Sequence, residues 1–401
     1  VGFEGTAYPA EIQDGRAYLA AESDGELSLT AVSLDGGEVL WDKRLSADAW
    51  EDGITAHQKF VVAVEEHDDS SRTLHVFAPS GKKLLKRKLP YGAWHMVHED
   101  RLIVGDPEQD TLVWIDVNGN KQAGETEYTE SLYPVDTWAA ESGSAAHLEG
   151  YRFESPEPDQ RMVAINDLGS MRVLDATDGK ALRTATLKDM AGDHLVRGYA
   201  GRLLVIGQAE DTEGYQVYAY DLAKPGSPRR LHADTTKDRT VERATPCGEE
   251  LLCLVDSDGH LTPVDIADGG SLWRKKVGDS DDVGAVNAMG DRIMVAHNRG
   301  DTAYTSFFDH SGGVRRVKGA AAPVDATTAL LFPPERAPIS GETVNPSTST
   351  YSVPLVGIGA VSGERTDIGS VDARLDTCGW NHAYIACAGE STFSIHRFRD
   401  V

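Results

Sequence analysis

Short apolar runs, each entered and left through a polar turn, recur along almost the whole chain. "DGRAYLAAE" (14–22), "HQKFVVAVEE" (57–66), "EDRLIVGD" (99–106), "AGRLLVIGQAE" (200–210), "GEELLCLVDSDG" (248–259) and "GDRIMVAHNRG" (290–300) are examples. They are aliphatic and β-branched, and they are bounded by Gly, Asp and Asn, which reads as strand. Helical periodicity is nearly absent. "LKDMAGDHLV" (187–196) is too short and too broken by glycine to count as a helix.

A second signal follows most of these runs: a strand, a tight turn and another strand. "AVSLDGGEVLWDKRL" (31–45) and "VDIADGGSLWRKKV" (264–277) are its clearest copies. "LHVFAPSGKKLLKRKL" (74–89), "TLVWIDVNGNKQAG" (111–124) and "MRVLDATDGKALRTATL" (171–187) are close to them, and three weaker copies lie at 217–231, 304–317 and 356–368. Their turn glycines, Gly37, Gly81, Gly119, Gly179, Gly226, Gly269, Gly312 and Gly363, are spaced by 44, 38, 60, 47, 43, 43 and 51 residues. That period belongs to a four-stranded propeller blade. One such unit cannot bury its own apolar faces, so the copies must stack in a ring.

The predicted fold is therefore all-β: a single propeller domain over residues 1–401, built from four-stranded antiparallel blades. Eight blades fit best within a range of seven to nine. A last strand pair, "NHAYIACAGESTFSIHRF" (381–398), stops where a turn and a fourth strand should follow, so an N-terminal strand, placed within "TAYPAEI" (6–12), is expected to close the ring. Insertions near 125–160 and 333–350, both rich in turn formers, read as surface loops.

Residues 265–273, Asp-Ile-Ala-Asp-Gly-Gly-Ser-Leu-Trp, resemble the Asp-x-x-x-Gly-x-x-x-Trp core of quinoprotein-type propeller repeats. The earlier cassette keeps Gly37 and Trp41 but has Ser33 in place of the Asp, while Asp175 and Gly179 keep the spacing with Arg183 replacing Trp. This superfamily includes pyrroloquinoline-quinone alcohol dehydrogenases, the non-enzymatic lipoprotein of outer-membrane assembly and sensor ectodomains of actinobacterial membrane proteins. The resemblance implies that Gly37 and Gly269 supply turns, and that Trp41 and Trp273 pack between blades rather than form a ligand platform.

Charge and cysteine usage narrow the setting. Thirty-nine basic against 64 acidic side chains give a net charge of −25, a field that repels phosphate backbones, so no nucleic-acid partner is expected. No apolar run is long enough to span a bilayer, and the chain opens at Val1 without a charged-then-apolar leader. We expect a mature or trimmed ectodomain, with any membrane attachment made through an anchor outside this sequence. The four cysteines fall in two local pairs, Cys247 with Cys253 and Cys378 with Cys387, each positioned to cross-link one hairpin. Two disulfides and an extracytoplasmic location follow; four buried thiols are the alternative.

Candidate chemistry is sparse. "AWHMVHEDR" (93–101) sets His95 and His98 three apart beside Glu99, but on a strand those two point to opposite sides, so they read as turn-surface residues. "DVNGN" (116–120) and "DSDGH" (256–260) read as tight turns rather than calcium loops, and "EEHDD" (65–69) and "GDSDD" (278–282) as solvated acidic turns with weak calcium binding as the alternative. No adjacent cysteine pair, nucleophile elbow, Walker loop or zinc motif occurs, and no catalytic, cofactor-binding or metal residue is assigned. The expected function is non-catalytic: a monomeric sensing or interaction module of a bacterial envelope, with the resemblance and the Ala/Gly/Asp-rich composition pointing to an actinobacterium, presenting loops to a protein, peptide or cell-wall ligand. The competing class is a quinoprotein-like oxidoreductase or other propeller enzyme with an axial site.

Overall fold

The protein is described by a computed structural model. It describes all residues except 47–48, 58, 99, 119–120, 130, 136–141, 145–159, 167–168, 188–190, 209–212, 225–226, 298–302, 333–350, 375–376 and 400–401. The described residues form nine antiparallel sheets and no α-helix. Ser280–Asp282 is a single 3-10 turn. No helix is long and apolar enough to cross a membrane.

Blade 2 shows the plan, running through Ala49–His57, Phe60–Glu66, Arg72–Phe77 and Lys83–Leu89 in consecutive antiparallel pairing. Blades 3 to 8 repeat it over 94–127, 131–186, 191–233, 241–276, 283–318 and 320–373. First strands of several successive blades touch one another, as Val241–Gly248 and Val283–Met289 do, which places them around the axis and the fourth strands at the rim.

The apolar runs of the sequence are the second strands. They lack alternation because both their faces are covered. In Arg16–Ser23, Tyr18 and Ala20 pack towards blade 2, while Ala17, Leu19 and Ala21 pack towards blade 9. The core is thus a series of layers between blades. The layer between blades 2 and 3, for example, joins Phe60, Val62, Leu74 and Val76 to Leu102, Val104, Val113 and Ile115. Fourth strands cover one face only and alternate accordingly, as Lys83–Leu89 does.

Nine blades stand at the upper end of the expected range, one more than the favoured eight. Ring closure uses the N-terminus, but not through residues 6–12. Thr6–Ala7 and Glu11–Gln13 instead form the broken first strand of blade 1, both pairing with Arg16–Ser23. Val1–Phe3 reach blade 9: Val1 and Phe393 exchange backbone hydrogen bonds of 3.0 and 2.6 Å, Gly2 bridges Thr392, and the Phe3 N–H donates to Ser391 at 2.8 Å. Register decides the matter, because Ile12 is wanted in the core shared by blades 9 and 1.

Part of the first insertion is not a surface loop. Ser142–Ser144 pairs with Gly379–Asn381, adding a strand to the inner edge of blade 9, while the flanking strands of that insertion belong to blade 4. The exposed inner edge of a short strand provides the pairing groups. The second insertion, 333–350, lies outside the described residues.

Candidate functional site

The repeat signature is built at the rim. In blade 6, Asp265 Oδ1 accepts the N–H groups of Ala267 (2.7 Å) and Asp268 (3.2 Å), fixing the turn that Gly269 completes at φ +84°. Gly37 adopts φ +68° in the equivalent turn of blade 1. Such values favour glycine. Gly119 and Gly226 lie outside the described residues.

The tryptophans reach the next blade. Trp41 Nε1 donates to the Pro79 carbonyl at 2.8 Å, and its indole lies over Gly81, where a Cβ would come within 2.6 Å of Cγ. Trp273 stacks on Phe308 with ring centroids 5.2 Å apart and lies against Gly312, where a Cβ would sit 3.0 Å from its Cγ. Trp114, which stands on a third strand and so outside the motif's Gly-x-x-x-Trp spacing, covers Gly179 in the same way, at 2.4 Å from a would-be Cβ. Arg315 takes that place over Gly363.

Both cysteine pairs are disulfides. Cys247 sits at the bulge between Pro246 and Gly248 and bonds Cys253 across a Cα separation of 5.7 Å. Cys378 bonds Cys387, which the Gly379↔Ala386 register places opposite it. Each bond joins the first two strands of one blade.

The histidine and acidic motifs resolve into structure. His95 and His98 both lie in the first strand Trp94–His98 rather than on a turn surface, and His98 is buried. Glu99 and Asn120 lie outside the described residues. Asp116 Oδ1 accepts the Asn118 N–H at 3.0 Å, a turn contact. Glu65 is not a solvated turn residue: it ends a second strand, is buried, and pairs with His75 at 2.7 Å. Asp256, Asp258 and His260 bring potential ligand atoms within 4.8 Å of one another. Guanidinium groups serve those carboxylates: Arg274 meets Asp256 at 2.6 Å, and Arg239 meets Asp258 and Asp234 at 2.7 Å each. A divalent ion would have to displace both arginines.

The axial wall carries the polar groups that sequence reasoning missed. A cavity of about 340 Å³ opens there, lined by Arg197, Glu242, Arg243, Thr245, Ser280 and Asp281. Arg197 Nε donates to the Ala244 carbonyl at 3.0 Å, and Arg243 Nη1 to that of Gly284 at 3.2 Å, so each arginine pins the first strand of the following blade. A guanidinium has five N–H donors, which leaves others for a polar or anionic ligand group. On the far side of the ring, burial pushes the Glu11 carboxyl up to about 8. His57 is driven down to about 4, first by burial and then by His95. One wall thus sets two arginines among two carboxylates, Glu242 and Asp281, while Glu11 and His57 on the other are both pushed towards their uncharged forms. First strands facing a channel carry no apolar period, so no sequence signal marks these residues.

A family model described as outer membrane protein assembly factor BamB matches residues 167–386, more than half of the chain. No curated protein matches. Among solved structures, BamB from Moraxella catarrhalis is 14% identical, with 84% of this chain and 96% of that one covered and a TM-score of 0.48. The computationally designed Ika8 protein is 13% identical, with 92% and 98% covered and a TM-score of 0.48. Sqt1 from Saccharomyces cerevisiae is 11% identical, with 92% and 96% covered and a TM-score of 0.46.

Proposed function

The chain belongs to the PQQ-like propeller family described as outer membrane protein assembly factor BamB, and from that premise we propose that it is a non-catalytic, extracytoplasmic interaction or sensing module of a bacterial envelope. Its partner is a protein or peptide, with a cell-wall ligand as the other class to test. One observation carries the reading: the side chains that define the repeat are spent on joining blades. Trp41, Trp114 and Trp273 lie over Gly81, Gly179 and Gly312, which leaves the turns and the two faces of the ring as the parts free to differ. In this reading Trp41, Trp273, Gly37 and Gly269 are blade-docking residues. The two disulfides, which form and persist in oxidising compartments, support the location.

The decisive comparison pairs envelope cross-linking with a quinone titration. A polypeptide cross-linked reproducibly to the ring, and a melting temperature unmoved by added pyrroloquinoline quinone and calcium, are the expected results. A saturable quinone spectrum with dye-linked alcohol oxidation would replace this reading with an axial active site, for which the Arg197–Arg243 cavity is the place to look.

A further inference from the structure

The cavity of about 340 Å³ on the axial wall spans three blades. Arg197 stands on the first strand of blade 5, and Glu242, Arg243 and Thr245 stand on that of blade 6. Ser280 and Asp281 belong to the 3-10 turn that enters blade 7. The volume lies at the lower end of the range for small-molecule sites. Among the described lining residues only Ala244 is apolar.

Two positive and two negative side chains thus share one space, and they do not neutralise each other. Arg197 spends Nε on the Ala244 carbonyl at 3.0 Å and Nη1 on that of Val196 at 2.8 Å, which leaves Nη2 without a partner among the described residues. Arg243 is held by Nη1 alone, on the Gly284 carbonyl at 3.2 Å. Glu242 accepts the Thr240 hydroxyl through one oxygen at 2.9 Å. Asp281 has neither a hydrogen bond nor an ion pair among the described residues. Main-chain tethers therefore hold the guanidinium groups apart from the carboxylates, and tethered side chains lose little freedom when a ligand arrives. A ligand bearing only a carboxylate would suit the arginines and be repelled by Glu242 and Asp281. A simple amine would meet the converse. A dipolar ligand satisfies both signs at once.

We propose that this cavity binds a small amino acid. Its carboxylate is taken by Arg197 and Arg243 and its ammonium by Glu242 and Asp281, with the Thr245 and Ser280 hydroxyls left for a short side chain. The site gives the sensing role proposed above a ligand class, and it rests on that reading.

The test titrates the whole chain calorimetrically with glycine, L-alanine and L-serine, each alone. We expect saturable binding, with the N-acetyl and amide derivatives of the tightest of the three roughly tenfold weaker, because each keeps only one charge. Asp281→Asn should weaken the amino acid roughly tenfold, leave its N-acetyl derivative unaffected and leave the melting temperature unchanged. Arg243→Gln should do the reverse, weakening the amino acid and the N-acetyl derivative but not the amide. Arg243 also holds Gly284, so Asp281→Asn decides the matter should Arg243→Gln fail to fold. No saturation up to about 10 mM, derivatives that bind as well as the amino acid, or an Asp281→Asn loss shared by the N-acetyl derivative would overturn the site. A ring that cross-links a partner polypeptide but binds none of the three would remove this site and keep the interaction reading. Amino-acid binding with no cross-linked partner would do the opposite.

Discussion

At the scale of residues, the repeat signature divides three tasks among three side chains. Asp265 holds the turn, Gly269 supplies its positive φ, and Trp273 leaves its own blade to lie on the turn glycine of the next. The last contact makes a pair of residues testable across a blade boundary. Trp41→Ala should cost about 2–3 kcal/mol, since the indole is only partly buried but loses both its packing over Gly81 and its bond to Pro79. Gly81→Ala should also destabilise, because its Cβ would intrude on the indole at 2.6 Å. In urea unfolding the two losses should fall short of adding by about 1 kcal/mol or more; strict additivity would show that the docking contact carries no energy. A second residue sets a pH limit. His297 is fully buried, stacks on Tyr304 at 4.1 Å, and is driven down to about 4 by burial first and Arg316 second. The folded state then binds fewer protons than the unfolded one between about pH 6.5 and 4, so stability is complete above that window and falls on acidification through it. His297 alone should make the protein roughly 2 kcal/mol less stable at pH 5 than at pH 7. His297→Phe should reduce the fall in melting temperature over that interval without abolishing it, since His57 is driven down as well; an unchanged slope would place the acid sensitivity elsewhere.

At the scale of elements, legibility followed burial. Second strands such as Phe60–Glu66 and Leu251–Asp256 stood out in the sequence because both faces are covered by neighbouring blades. First strands did not, because one face borders the channel. Val241–Gly248 mixes Glu242 and Arg243 with Ala244 and Cys247, and Trp94–His98 hides one histidine while keeping the other beside the axis, so neither shows an apolar period. The same strands carry the candidate axial residues, which is why Arg197, Arg243 and Glu11 left no mark that could be read in advance. The cysteines compensated, since their short spacings lie within single hairpins. Each disulfide locks a first strand, the weakest signal of a blade, to a second strand, the strongest. Both loops are short, so the chain-entropy contribution of each bond is on the order of 2–3 kcal/mol. Replacing Cys247 and Cys253 together by serine should lower the melting temperature without loss of the ring's far-UV signature. Collapse of the whole fold would mean that the hairpin cannot form without its cross-link.

At the scale of the whole molecule, counting turns gave one blade too few for a physical reason. Each turn glycine marks the link between a third and a fourth strand, and blade 9 has no such link, because its rim position is met by the other end of the chain. Closure is divided between two N-terminal segments with different work, and truncation separates them. Removing residues 1–3 takes away the bonds to Ser391 and Phe393 and the contact of Phe3 with Phe393, whose ring centroids are 4.7 Å apart. The core between blades 9 and 1 would keep Ala10 and Ile12, so the ring should stay closed, with a lower melting temperature. Removing residues 1–12 also takes Thr6–Ala7, the Ala10 bond to Thr377 and most of Glu11–Gln13. Blade 1 then loses its first strand and the shared core loses Ala7, Ala10 and Ile12, so this truncation should aggregate or lose stability far beyond the shorter one. Light scattering and thermal melts of the two truncations side by side make the distinction. Equal behaviour would mean that a single clasp at Val1–Phe3 holds the ring, and a monomeric 13–401 chain with an unchanged melting temperature would mean that the N-terminus does not close it at all.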